Sequence, residues 1–267
     1  MRTLISADAH VNSFSWSPDS LFIVYRLISH LDQEARYLPM EEKVVSIASG
    51  ESCDSFQYNR LPKSSTIWRE RGDFIFLQAL NPSELCSVPA LWSRKPTGGS
   101  PAELLAYGEH NDVNGIVDIG VKSQYVVEVA ENLITKFDVY DENNRHFTAF
   151  QTTADYAMEY EWDMVFTEDE KYVFVTTKSS AVLGELGNVW SGVTEFGREG
   201  VLSTKLSAHN SWFDSKVAPD AKPFFWTGSD GMKLEGVISY PRGVDLKCLP
   251  TVVVAHGGPS TYVIFLA

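Results

Sequence analysis

The residues most suited to chemistry stand close to the end of the sequence, in the stretch LPTVVVAHGGP at 249–259. There a β-branched run ends in His256-Gly257-Gly258-Pro259. Two consecutive glycines let the backbone take up conformations closed to other residues and let a carbonyl group come close. Their N–H groups can then donate to an oxygen that gains negative charge as its carbonyl carbon is attacked, which is the chemistry of acyl transfer. Taken alone, the same four residues also suit a tight turn that cages a histidine. The six histidines, His10, His30, His110, His146, His209 and His256, show no H-x-x-x-H or H-E-x-x-H spacing, so no metal site is expected. Residues 108–115, GEHNDVNG, carry carboxylates and amides but lack the twelve-residue calcium pattern ending in glutamate, and read as an ordinary loop. Glu41-Glu42 could clamp a peptide amino terminus, yet a solvated hairpin edge is the plainer reading. No glycine-rich phosphate loop occurs, and no cofactor is expected.

A turn of this kind needs a rigid body behind it. With 267 residues, 44% of them hydrophobic, the chain can bury a large core and make one or two domains. Its 22 basic and 35 acidic side chains leave a formal charge of −13. A surface of that sign repels a phosphate backbone, so nucleic acid is excluded as a partner and the charge is read as solubility. No apolar run is long enough to span a membrane, and the start, MRTLISADAHVNSFSW, lacks the apolar core of a secretory signal. Cys53, Cys86 and Cys248 are far apart and odd in number, which encodes neither a disulfide framework nor a zinc site. A reducing, cytoplasmic location is expected, with no membrane partner.

The strongest internal signal is a repeat. In FSWSPDSLFIVYRL (14–27) an apolar-aromatic strand end meets a Ser-Pro-Asp-Ser turn and then a strand rich in Phe, Ile, Val and Tyr. The same grammar returns with Trp68, Ile119 and Phe166 in the place of Trp16, at spacings of 52, 51 and 47 residues. An aromatic follows six residues after each anchor, at Phe22, Phe74, Tyr125 and Tyr172. Within each period a second hairpin is legible, at 44–51, 91–107, 137–150 and 189–206. Two hairpins make a four-stranded sheet, and a lone sheet leaves both apolar faces wet, so the copies must stack. Self-similarity at 40–50 residues is the mark of propeller blades. A β-sandwich shares the strand-and-turn alternation but gives no reason for an anchor at a fixed interval. Trp16, Trp68 and Phe166 are therefore expected in the core.

The grammar changes after residue 213. A partial β-propeller of about four blades is expected over 1–213, a polar linker over 214–222, and the opening strands of a second domain over 223–267. Asp230-Gly231 between two strand-like runs, 224–227 and 233–240, predicts a hairpin. The run 251–254 has no polar alternation, which predicts a strand buried on both faces as in the central sheet of an α/β domain.

The combination of WSPDS in a repeat, then F-x-x-x-S-D-G-x-x-x-x-G-x-x-x-x-P from Phe225 to Pro241, then LPTVVVAHGGP, resembles the prolyl oligopeptidase family of serine peptidases. It is most similar to the acylaminoacyl-peptidase and dipeptidyl-peptidase V branch. The resemblance is loose through the blades and tight over 225–259. It implies a β-propeller capping an α/β-hydrolase domain and admitting short or N-blocked peptides. It also implies that Gly257 and Gly258 lie in the oxyanion loop and that His256 supports this loop without acting as general base. In α/β-hydrolases the loop after the third strand supplies one oxyanion donor and the residue after the nucleophile the other. The family's G-x-S-x-G nucleophile elbow does not occur in these 267 residues, and four anchors are counted where the family carries more. The resemblance thus implies a fragment without the catalytic serine, aspartate and histidine, inactive alone. A β-propeller scaffold of WD-repeat type is the alternative, and the 225–259 segment separates the two, because a scaffold has no need of it.

Overall fold

The computed structural model describes residues 10–28, 40–58, 66–81, 87–96, 101–108, 111–120, 123–152, 157–180, 185–209, 211–212 and 219–254. All of its regular structure among these residues is β-strand. The first sheet holds β1 (His10–Trp16), β2 (Phe22–Ile28), β3 (Met40–Ser46) and β4 (Ser52–Tyr58). The second holds β5 (Ile67–Trp68), β6 (Phe74–Ala79), β7 (Pro89–Arg94) and β8 (Glu103–Ala106). The third holds β9 (Asp112–Asp118), β10 (Tyr125–Glu131), β11 (Ile134–Tyr140) and β12 (His146–Gln151), and the fourth β13 (Ala157–Phe166), β14 (Lys171–Ser180), β15 (Glu185–Glu195) and β16 (Leu202–Lys205). In every sheet each strand bonds to the next in sequence. These four meanders are the blades of a partial β-propeller, and a separate hairpin of β17 (Asp220–Thr227) and β18 (Lys233–Tyr240) follows.

The repeat seen in the sequence marks the same place in each sheet: the anchors stand at or beside the ends of the first strands, and Phe22, Phe74 and Tyr125 are the first residue, and Tyr172 the second, of the strands that follow. One turn design recurs in the second and fourth sheets and in the β17–β18 hairpin. The N–H of Arg69 bonds Asp73 O at 2.8 Å, that of Thr167 bonds Lys171 O at 2.8 Å and that of Gly228 bonds Met232 O at 2.8 Å. The fourth residue of each turn is left-handed, with φ of 86° at Gly72, 61° at Glu170 and 85° at Gly231. Such a residue matches the turn to the twist of the strands that leave it. The first turn is one residue longer, closing from Ser17 N to Phe22 O at 3.0 Å, and Ser17 Oγ donates to Asp19 Oδ1 at 2.6 Å.

The chain falls into two compact units, 1–129 with 139–146, and 130–138 with 147–267. In the first, Ile75, Leu77 and Leu91 of the second sheet pack with Val113, Ile116, Tyr125 and Val127 of the third. Val24 and Val44 of the first sheet meet Phe74 and Phe76 of the second, with Trp68 and Trp92 at the margin. In the second unit, Phe174 lies 4.6 Å from Phe137 and 4.9 Å from Phe150, ring centre to ring centre. Full burial of each such ring stabilises by roughly 1.5–3 kcal/mol. Phe150 also fixes two glycines, because a Cβ on Gly192 would stand 2.6 Å from its ring and one on Gly200 2.5 Å.

Four expectations are corrected. Trp16 is 52% exposed and outside the core, whereas Trp68 is half-buried and donates from Nε1 to Ser15 O of the preceding sheet at 3.3 Å. Among the described residues no earlier sheet lies against β1 to cover Trp16 in the same way. Residues 112–115, read as part of a loop, begin β9, and Asn114 is buried there. Strand β17 starts at Asp220, inside the expected linker, because the alignment of β17 with β18 continues from Thr227↔Lys233 out to Asp220↔Tyr240. Finally, residues 251–254 are not a strand, and Val252, Val253 and Val254 are 82–90% exposed. An apolar run becomes a buried strand only where a neighbour offers a sheet edge, and none pairs with it among the described residues.

Candidate functional site

His256, Gly257 and Gly258, expected from the sequence to form an oxyanion loop, lie outside the described residues. What leads to them is described. Strand β18 ends at Tyr240, a turn closes from Val244 N to Pro241 O at 3.3 Å, and Gly243 takes φ 77°. Arg242 Nε reaches back to Asp220 Oδ1 at 3.1 Å, tying this segment to the start of β17. Around the hairpin large apolar groups face solvent: Phe224, Phe225, Trp226 and Met232 are 43–68% exposed, and the Phe224 and Trp226 rings stack at 5.7 Å.

The densest polar cluster lies in the first unit. Arg69, almost wholly buried, donates from Nε to Asp73 Oδ1 at 2.9 Å and pairs through Nη2 with Asp73 Oδ2. Its third arm, Nη1, reaches Asn144 Oδ1 at 2.8 Å, and the Tyr125 hydroxyl donates to that oxygen at 3.2 Å. Arg71 holds the other side of Asp73, from Nη2 to Oδ2 at 2.8 Å. Burial raises the Asp73 carboxyl, but hydrogen bonds from Arg71 and Arg69 outweigh it and hold the group below its usual 3.8. Burial pushes the Tyr125 phenol up to about 12. Together with the bond from Glu70 N to Glu142 Oε1 at 3.0 Å, these contacts clamp the β5–β6 turn to the β11–β12 turn.

A second feature lies beneath the first sheet. Arg26 on β2 stands opposite Glu42 on β3, and both are buried. Arg26 donates from Nε at 3.2 Å and from Nη2 at 2.9 Å, both to Glu42 Oε2. Glu41, one residue away, points to the other face and pairs with Lys43 at 2.9 Å in solvent. Neighbours on a strand face opposite ways. The two carboxylates therefore do not converge as a clamp, and the reading of both as a solvated edge holds for Glu41 and fails for Glu42. Burial raises the Glu42 carboxyl against the pull of Arg26. Beside the pair is a small pocket, partly open to solvent, whose lining includes Ser13, Ser15, Tyr25, Arg26, Glu42 and Thr66. Sequence reasoning missed Arg26 and Glu42 as a pair; their opposition across a hairpin is legible only once the register is known.

Among the described residues no group of three or more His, Cys, Asp and Glu comes together to hold a metal ion, and no helix is long and apolar enough to cross a membrane. No protein-family model and no curated protein matches the chain. Solved structures do. Prolyl endopeptidases analysed for inter-domain dynamics are similar to it at TM-score 0.51 and 15% identity, over 76% of this chain and 29% of theirs. A puromycin-hydrolyzing peptidase of Mycobacterium tuberculosis is similar at TM-score 0.52 and 14% identity, over 88% of this chain and 34% of that one. An oligogalacturonate lyase in complex with manganese is similar at TM-score 0.50 and 11% identity, over 90% of this chain and 67% of that one. At these identities the likeness is one of fold. The chain spans about a third of the length of the two peptidases.

Proposed function

We propose that the chain is part of a serine peptidase of the prolyl oligopeptidase type, hydrolysing short or N-blocked peptides. The observation that carries this is the run from Phe225 to Pro259, in which the hairpin around Asp230-Gly231 is followed by LPTVVVAHGGP. Fold likeness alone would not choose, since it extends to a lyase as well as to peptidases. Function is argued from the site, and the fold adjusts the weight. In this reading residues 223–267 open an α/β-hydrolase domain. The amide hydrogens of Gly257 and Gly258 meet the carbonyl oxygen of the scissile bond as it gains charge, and His256 steadies their loop. The blades restrict access to short peptides, and no metal or organic cofactor takes part. Cysteine usage supports a reducing, cytoplasmic setting.

Two measurements test the proposal. Sequencing the transcript beyond codon 267 is expected to find a G-x-S-x-G segment within about a hundred residues, as the hydrolase order requires; its absence there would overturn the reading. The 267-residue chain by itself is expected to leave aminoacyl and acyl-aminoacyl p-nitroanilides uncut. Turnover by this chain that survives Gly257→Pro would count against both the oxyanion role and the assignment.

A further inference from the structure

Thr251, Val252, Val253 and Val254 leave their backbone open. Among the described residues none of their N–H or C=O groups makes a hydrogen bond, and the three valines stand almost fully in solvent. Valine and threonine are strand formers, and successive side chains of an extended run face opposite ways, so valines lie on both faces of this one. The sequence from 251 to 256, TVVVAH, has no proline, no glycine and no Asp, Glu, Lys or Arg. High β-propensity with little charge and no proline over six residues is what lets identical segments of different chains stack. The charge that holds copies apart, −13 in all, comes from elsewhere, since the whole run 249–259 contains no acidic or basic residue apart from His256. The free edges of the hairpin before it are guarded. Strands β17 and β18 form a two-stranded sheet, so each has one unpaired edge. Pro223 within β17 has no N–H to offer, and Lys222, Lys233 and Glu235 place charge along the two strands. Proline and charge on an edge turn away a further strand. The unguarded run therefore finds its match in the same run of another copy.

We propose that the run centred on Val253 is a self-pairing segment whose partner is a second copy of this chain. Segments of successive copies stack parallel and in register, the open N–H and C=O groups of 251–254 bonding to the copies above and below while each valine closes against its own kind. The sheets of the rest of the chain keep their fold, because among the described residues none of them pairs with this run. The inference does not rest on the peptidase reading. Sequence beyond codon 267 decides that reading and has no bearing on how this 267-residue chain pairs with itself.

The test is to hold the chain for several days at about 0.1 mM, a concentration at which exposed strands meet, and well below its melting midpoint. A sediment is expected that gives the reflection of stacked strands at about 4.7–4.8 Å. Residues 251–254 should lie in the fragment of that sediment that survives limited proteolysis. Val253→Pro removes an N–H and Val253→Lys stacks like charges, and each should slow the growth about tenfold or more. Val253→Ile should grow at least as fast as the parent. Because Val253 is exposed and bonded to nothing, all three variants should melt with the parent and keep its near-ultraviolet circular dichroism, which separates loss of pairing from loss of stability. No sediment from the parent, a sediment without the reflection, a protected fragment lacking 251–254, or growth of Val253→Pro at the parent's rate would each overturn the proposal.

Discussion

Asp73 and Glu42 are both buried carboxylates facing arginine, yet their surroundings move them in opposite directions. Asp73 receives four hydrogen bonds from two guanidinium groups, and its folded-state value lies below the usual 3.8. Its contribution to stability is therefore fully present above that value and lost as pH falls through the lower folded one. Glu42 receives its bonds on one oxygen only, and burial leaves its folded value above the usual 4.5. The folded protein holds that proton more readily than the unfolded chain, so Glu42 is a burden that lightens as pH falls. Urea unfolding followed from neutral pH down to about pH 3 separates the two, with Asp73→Asn expected to flatten the acid loss and Glu42→Gln to remove the opposing gain. At neutral pH, Arg69→Met should cost about 1.5–3 kcal/mol, because it removes the buried half of the hydrogen bonds on Asp73 and one of the two on Asn144 Oδ1, leaving Arg71 and Tyr125 to hold the rest. A loss below about 1 kcal/mol would mean that the cluster is solvated.

The elements were largely legible before any coordinates, and the reasons are local. A turn residue pattern and an aromatic six places after an anchor are properties of short stretches, and all four such stretches became the first hairpins of four sheets. What could not be read depends on a neighbour. Trp16 and Trp68 occupy equivalent positions, and only the presence of a sheet behind Trp68 distinguishes them. Glu41 and Glu42 differ in which face of β3 another sheet covers, and residues 251–254 need a partner strand to become one. The oxyanion loop stays a reading of residues, since His256, Gly257 and Gly258 fall outside the described part. At this scale Gly200 offers a clean test. Its amide bonds Ala149 O at 2.7 Å while the Phe150 ring fills the place a Cβ would need. Gly200→Ala should destabilise by about 1–3 kcal/mol, as overpacking does. Adding Phe150→Leu should recover part of it, and simple additivity of the two changes in thermal unfolding would exclude the clash.

For the whole molecule the governing quantity is apolar surface left in water. Phe14 at 66%, Trp16 at 52%, Phe225 at 68% and Val253 at 90% exposure are large groups of a kind that usually marks a contact surface. Sedimentation velocity is expected to show concentration-dependent association of the chain, relieved by Trp16→Glu together with Phe225→Glu. A parent sample that stays monomeric at high concentration and melts in one cooperative step would contradict this. The sequential order of strands within each sheet has another consequence, in time. Each sheet closes on residues no more than about 50 apart, and hairpins form in microseconds. A ribosome needs about 3–10 s to add that many residues. The strands of every blade therefore have time to pair before the next blade leaves the exit tunnel, and each open apolar face then waits for its neighbour to cover it.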